Sequence, residues 1–160
     1  MSFRVGLGID FHRFRQGRKL WLGGVLFDYP LGLLGHSDAD VVAHAAADAV
    51  LGACKLGDIG LHFPDTDPAY KNADSIKLLK QCARMARDKG FRIGNMDIMV
   101  VLEEPKISPR IPEMEKNLAQ ALGVSPEEVS VKATKPERMG TVGKKEGVAC
   151  YAVCLVEGSK

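Results

Sequence analysis

The chain has 160 residues, enough for one domain (residues 1–160) with a substantial core, and it is 46% hydrophobic and 26% charged, as ordinary globular proteins are. Its 22 basic and 20 acidic residues leave a formal net charge of +2, which gives no reason to expect nucleic-acid binding. No apolar run approaches membrane-spanning length.

In chain order, Phe3 to Phe11 alternates and reads as a strand, with Gly6 and Gly8 marking close backbone approach. Leu20 to Phe27 reads as a hairpin around Gly23-Gly24. A helix is expected from Ser37, with Ser37 to Asp40 as a capping box, through an alanine-rich run that ends near Gly57. Gly57 to Pro68, dense in Gly, Pro and Asp, reads as a loop. A second helix runs from about Asp74 to Lys89, with Ile76, Leu79, Ala83 and Ala86 as its apolar stripe and Gly90 as its stop. Ile98 to Leu102 reads as a strand buried on both faces. A third helix spans Pro112 to Gly123, and Ser125 to Glu128 caps a short turn. Val129 to Ala133 is a strand with one polar face, and Val148 to Val156 a strand apolar on both. This order predicts an α+β fold: a single mixed β-sheet with helices on one face. With so few helices, the other face is expected to be covered by a second subunit.

Four cysteines, none in a C-x-x-C pair and all in apolar surroundings, read as free thiols in a reducing compartment. The N-terminus shows neither a signal-peptide core nor a transit segment, so a cytoplasmic protein, or a processed plastid one, is expected.

Three of the four histidines fall in the first 44 residues, each near an aspartate. Asp10 and His12 are two apart on a strand and share a face, while His44 lies on a helix. Two imidazoles and a carboxylate from two rigid elements, with a position left open, favour Zn²⁺ acting as a Lewis acid. Asp40 and Asp48, four residues either side of His44, are candidates to accept its free ring N–H. The alternative is that these are helix caps and surface polar groups. His36, just before the expected N-cap, is placed to face phosphate. After the strand at Val131, the segment Lys132-Ala133-Thr134-Lys135-Pro136-Glu137 offers phosphate-binding Lys and Thr, and a carboxylate for a hard cation such as Mg²⁺. Taken alone, that segment is a charged turn. Walker, Rossmann, zincin and nucleophile-elbow motifs are absent.

Several segments together resemble the 2-C-methyl-D-erythritol 2,4-cyclodiphosphate synthase family. They are Gly8 to Phe14, Leu34 to Asp40 with His44, Leu56 to Gly60, Phe63 to Pro68, Pro105-Lys106, and Val131 to Thr134; their collinear order covers nearly the whole chain. The resemblance implies a phosphorus–oxygen lyase of the non-mevalonate isoprenoid pathway that forms a cyclic diphosphate with release of CMP. It implies a homotrimer with sites between subunits, a small cytidine diphosphate substrate, and no nucleic-acid or membrane partner.

By the same resemblance Asp10, His12 and His44 hold zinc, and Glu137 holds a second cation, Mg²⁺ or Mn²⁺, that bridges the substrate diphosphate. His36 and Lys135 match catalytic positions that stabilise the transition state. Substrate contacts map to Asp10, Phe11, His12, His36 and Ser37, to Asp58, Ile59 and Gly60, and to Phe63, Pro64, Asp65, Thr66 and Asp67. The cytidine cradle maps to Leu102, Glu103, Glu104, Pro105, Lys106, Ile107 and Ser108, with Thr134, Lys135, Pro136 and Glu137.

The chain departs from the family at Lys135, where a small polar residue is usual, and Pro136 beside it stiffens the loop. It departs again at Thr141 and Lys144, where the family has an aromatic and an arginine lining a cavity on the trimer axis that can take isoprenoid diphosphates. Thr141 and Lys144 remove that apolar wall and bidentate clamp.

Overall fold

The computed structural model describes residues 2–158. The chain begins with β1 (Ser2–Gln16), then β2 (Leu20–Leu22), β3 (Val25–Phe27) and β4 (Leu31–Leu33). Three helices follow, α1 (Val41–Ala53), α2 (Ile59–His62) and α3 (Ser75–Asp88), and then β5 (Phe91–Val101). It closes with α4 (Ile111–Leu122), β6 (Val129–Thr134), α5 (Gly140–Gly143) and β7 (Gly147–Gly158). The main sheet has the order β4-β1-β7-β5-β6, and β2-β3 forms a separate hairpin. β5 and β6 run parallel and the other neighbours antiparallel, so the sheet is mixed.

The inner side of β1 carries its smallest residues. Gly6 and Gly8 face α1 so closely that a Cβ on either would stand 1.9 Å from the carbonyl oxygen of Ala49 or Ala45. Glycine opposite an Ala45–Ala49–Ala53 stripe lets strand and helix backbones nearly touch, which explains why α1 is so rich in alanine. Asp10 and His12 continue the same inward face by strand alternation. The apolar residues of β1 point the other way: Phe3, Val5, Leu7 and Phe11 are 59% to 67% exposed. Tyr151 and Val153 of β7 extend this open apolar face. The helices lie on the opposite side, around a continuous core that includes Leu51, Leu79, Ile98, Met114 and Leu118.

Several local expectations need correction. α1 starts at Val41, not Ser37, and the Ser37–Asp40 capping box does not form. Ala39 takes a left-handed φ of 59°, so no helix can run through it, and Asp40 is the N-cap. The Asp40 carboxylate accepts from Val42 N and Ala43 N and also from Gly23 N and Gly24 N, so one buried side chain caps the helix and ties the β2–β3 turn to it. α1 ends at Ala53 with Cys54 as its cap, because Lys55 is left-handed before Gly57 is reached.

β5 begins seven residues earlier than expected and is buried on one face, through Ile93, Met96, Ile98 and Val100. β7, apolar on both sides in sequence, buries one side and exposes the other. The expected loop at Gly57 to Pro68 contains α2, capped by Asp58, which accepts from Leu61 N at 2.9 Å. The Ser125 capping box with Glu128 is present, and α4 ends on left-handed Gly123. Among the described residues no helix is long and apolar enough to cross a membrane.

Candidate metal centre

Asp10, His12 and His44 meet at the inner face of β1 where α1 crosses it, and one ligand atom from each lies within 4.8 Å of the others. Asp10 Oδ2 is 2.9 Å from His12 Nε2 and 3.1 Å from His44 Nδ1. The two ring nitrogens are themselves 3.1 Å apart. All three side chains are partly buried, so the carboxylate and the rings are screened from bulk water without being sealed off.

The other nitrogen of each ring decides what the inner pair can do. His12 Nδ1 sits 2.7 Å from the Leu34 carbonyl, which can only accept, so Nδ1 carries the proton and Nε2 presents a lone pair. His44 Nε2 sits 2.8 Å from Ser75 Oγ and 3.1 Å from Ser37 Oγ. Ser75 Oγ donates to Asp38 Oδ1, which leaves it an acceptor toward the ring, so His44 Nδ1 is the lone-pair nitrogen. Two lone pairs and a carboxylate converge on one point. That arrangement is electrostatically unfavourable unless a cation occupies it, and the donor set, two imidazoles and a carboxylate, fits a divalent metal.

Without a metal, a proton takes part of that role. Burial works against charge on His12, but the Asp10 carboxylate and the Leu34 carbonyl outweigh it and raise the His12 pKa above 6.5. Burial likewise works to raise Asp10, but its hydrogen bonds and charge contacts with His12 and His44 prevail and hold it at about 2, against an ordinary 3.8.

The acceptor for His44 is not one of the two carboxylates expected from helical spacing. Asp40 is committed to four backbone N–H groups, and Asp48 accepts from Ile59 N at 2.7 Å. The serine that takes the role, Ser75, comes from α3, thirty-one residues from His44. In sequence Asp74 marks the start of that helix, but nothing there pairs Ser75 with His44.

His36 stands apart from the three ligands. Its Nε2 donates to the Asp67 carbonyl at 3.0 Å and its own carbonyl accepts from Asn72 N at 2.8 Å, which joins it to the segment Phe63 to Asp67. Because α1 starts at Val41 and Asp40 is its N-cap, His36 does not border the helix N-terminus as expected. Phe63 stacks edge-on against Tyr70 with ring centroids 5.3 Å apart. Ile59 and Gly60 lie in α2, with Asp58 as its cap.

A second group of predicted residues comes together elsewhere. Leu102 N donates to the Thr134 carbonyl at 3.1 Å, and Arg138 N donates to Glu103 at 3.3 Å. Lys145 pairs with Glu104 at 2.8 Å. The segments 102–108 and 134–145 therefore form one unit, on which Lys135 and Glu137 are exposed. Glu137 and Arg138 both have left-handed φ, a sharp reversal where the chain leaves β6. Thr141 lies with Phe11 and His12 around a small cavity of about 160 Å³. A larger cavity, about 510 Å³ between α3 and α4, shares no residue with the Asp10–His12–His44 group.

Fold and site together define an α+β protein that gathers three side chains able to hold a metal ion between a sheet and the helix packed on it. The YgbB family pattern matches residues 3–157. The 2-C-methyl-D-erythritol 2,4-cyclodiphosphate synthase of Chlorobaculum tepidum is 53% identical over 156 residues, covering 98% of this chain and 99% of its own. That of Geobacter sulfurreducens is 54% identical over 154 residues, covering 96% of this chain and 98% of its own. Among solved structures, IspF of Plasmodium falciparum in its CDP complex matches with a TM-score of 0.86 at 31% identity, covering 99% of this chain and 98% of that one. The bifunctional IspDF of Campylobacter jejuni matches with a TM-score of 0.95 at 41% identity over 99% of this chain and 43% of that longer one. The chain belongs to the YgbB family, that of the 2-C-methyl-D-erythritol 2,4-cyclodiphosphate synthases.

Proposed function

We propose that this protein converts 4-diphosphocytidyl-2-C-methyl-D-erythritol 2-phosphate to 2-C-methyl-D-erythritol 2,4-cyclodiphosphate, in the methylerythritol phosphate route to isoprenoids. The observation that carries the reading is the convergence of two lone-pair nitrogens and one carboxylate at Asp10, His12 and His44. In the reaction an oxygen of the 2-phosphate attacks the β-phosphorus. A new P–O bond closes the ring, the bond from the β-phosphorus to the oxygen bridging the two phosphates breaks, and CMP leaves with that bridging oxygen. Attacker and electrophile share one substrate, so the protein's task is to fold the substrate back on itself and neutralise charge.

In this reading Zn²⁺, held by Asp10, His12 and His44, supplies Lewis-acid polarisation of a phosphate oxygen. Glu137 would hold Mg²⁺ or Mn²⁺, which would neutralise charge on the diphosphate. His36, anchored through Asp67, and Lys135 face the charge that develops during transfer, the lysine with a full positive charge. The unit of 102–108 with 134–137 cradles the cytidine diphosphate, while Asp58 to Asp67 surround the erythritol phosphate. The open apolar face of β1 and β7 supports assembly as a homotrimer, with the cradle of one subunit completing the metal centre of the next. Four buried free thiols accord with a reducing compartment, cytoplasm or plastid.

CMP release by purified protein supplied with Zn²⁺ and Mg²⁺ is the test. The expected result is stoichiometric CMP. No CMP, with none restored by Lys135→Thr, would leave a metal-retaining protein that binds the diphosphate without turning it over.

A further inference from the structure

We infer that Asp38 and Ser75 are positioning residues of the metal centre, forming with His44 a chain of hydrogen bonds that fixes which ring nitrogen faces the ion. The inference rests on the metal-binding reading of Asp10, His12 and His44. It concerns two side chains from different elements: Asp38 in the loop before α1, and Ser75, the first residue of α3.

The chain runs in one direction. His44 Nε2–H donates to Ser75 Oγ at 2.8 Å, and Ser75 Oγ–H donates to Asp38 Oδ1. Asp38 Oδ2 accepts from Ser75 N at 3.1 Å, so the carboxylate grips Ser75 at both backbone and side chain. Asp38 is itself held, its N–H donating to the Ala73 carbonyl at 3.0 Å and its Oδ1 accepting from Asp40 N at 3.1 Å. Ser75 is 1% exposed, so water does not compete for its hydroxyl. With the negative end of the chain at Asp38, the proton is held on Nε2, and Nδ1 is left as a lone pair aimed at Asp10 and His12.

His12 achieves the same end through the Leu34 carbonyl, a backbone group that no substitution removes. His44 is thus the ligand whose orientation depends on side chains. Replacing the carboxylate by an amide would loosen the chain, because an amide has one oxygen for the three donors, Ser75 Oγ–H, Ser75 N–H and Asp40 N–H, that the carboxylate accepts from. With its oxygen kept opposite Ser75 Oγ–H and Asp40 N–H, an Asn at position 38 turns its NH₂ against Ser75 N–H, so the negative charge and the hold on the Ser75 backbone are lost and the His44 proton is fixed less firmly on Nε2.

The test is Zn²⁺ affinity, measured by competition with a chromophoric chelator on Ser75→Ala, Ser75→Thr, Asp38→Asn and His44→Ala proteins, with ¹⁵N shifts of the His44 ring in the metal-free state. Loss of a partner behind a metal-bound histidine costs about 10- to 100-fold in affinity. Asp38→Asn, which loses the charge and one of the two contacts to Ser75, is expected within that range, with the His44 ring less fully in the Nε2–H form. Ser75→Ala is expected near the lower end, since Ser37 Oγ remains 3.1 Å from Nε2. Ser75→Thr, which keeps the hydroxyl, should retain wild-type affinity. If Asp38→Asn does not fold, Ser75→Ala against Ser75→Thr decides the matter. Affinities for Ser75→Ala and Asp38→Asn within twofold of wild type, with His44→Ala losing zinc, would overturn the positioning role and leave the metal centre standing. Wild-type protein that fails to retain zinc would overturn both.

Discussion

His12 and His44 present unlike nitrogens, Nε2 and Nδ1, to a point they share with Asp10, and their protonation is written into the stability of the metal-free protein. Asp10, held at about 2, stabilises the fold fully above its unfolded value of 3.8, and that contribution is lost as pH falls toward 2. His12, raised above 6.5, stabilises the fold below 6.5, and that contribution is lost as pH climbs through its folded value. Metal-free protein should therefore show its highest urea midpoint at roughly pH 4–6.5, read by circular dichroism across a pH series. A midpoint still rising between pH 7 and 9 would show that Asp10 and His12 do not pair as described. At this scale the gathering of Asp10, His12 and His44 was legible from residue type and spacing. Their supports were not, because helical spacing cannot show that Asp40 is already committed to the β2–β3 turn, or that a serine from α3 reaches His44.

The contact between β1 and α1 sets the width of the metal centre. Asp10 and His12 come from the strand and His44 from the helix, so their separation is the separation of the two backbones. Gly6 and Gly8 hold that separation to a distance at which no side chain fits. Gly8→Ala places a methyl against the Ala45 carbonyl, where the helix backbone itself must shift, and should destabilise the fold by about 3 kcal/mol or more. Urea unfolding measures that loss, and zinc titration of the same variant should show weakened retention. A Gly8→Ala protein with wild-type stability and zinc content would mean that the close approach has no bearing on the site. The glycines were read in sequence as places of close approach. The start of α1 was misplaced because Ser37 and Asp40 both have capping chemistry, and only the left-handed Ala39 between them settles which one caps.

Over the whole molecule the sheet divides the protein into a filled side and an open one. Sequence alternation along β1 gives two faces but not their directions. The apolar residues would ordinarily turn inward, yet here the inner side is glycine, aspartate and histidine, and Phe3, Val5, Leu7 and Phe11 face out. A contiguous apolar face of this kind is a contact surface in soluble proteins. Leu7 lies within it and away from Asp10, His12 and His44, so on the proposed assembly through this face Leu7→Glu should give monomer in sedimentation velocity and abolish turnover, with the helical content retained. Wild-type protein that sediments as a monomer at micromolar concentration with full activity would refute the shared site. The α+β class, the mixed sheet and the one-sided helices were all legible in the order of elements, since strand and helix periods differ so plainly.

The central claim is that the attacking oxygen belongs to the substrate and not to water. Turnover in H₂¹⁸O, followed by ³¹P NMR and mass spectrometry, tests it most directly. CMP and a cyclic diphosphate should form, neither carrying ¹⁸O. Isotope in CMP, or in a ring-opened phosphate of the erythritol portion, would contradict it and make the protein a phosphodiesterase.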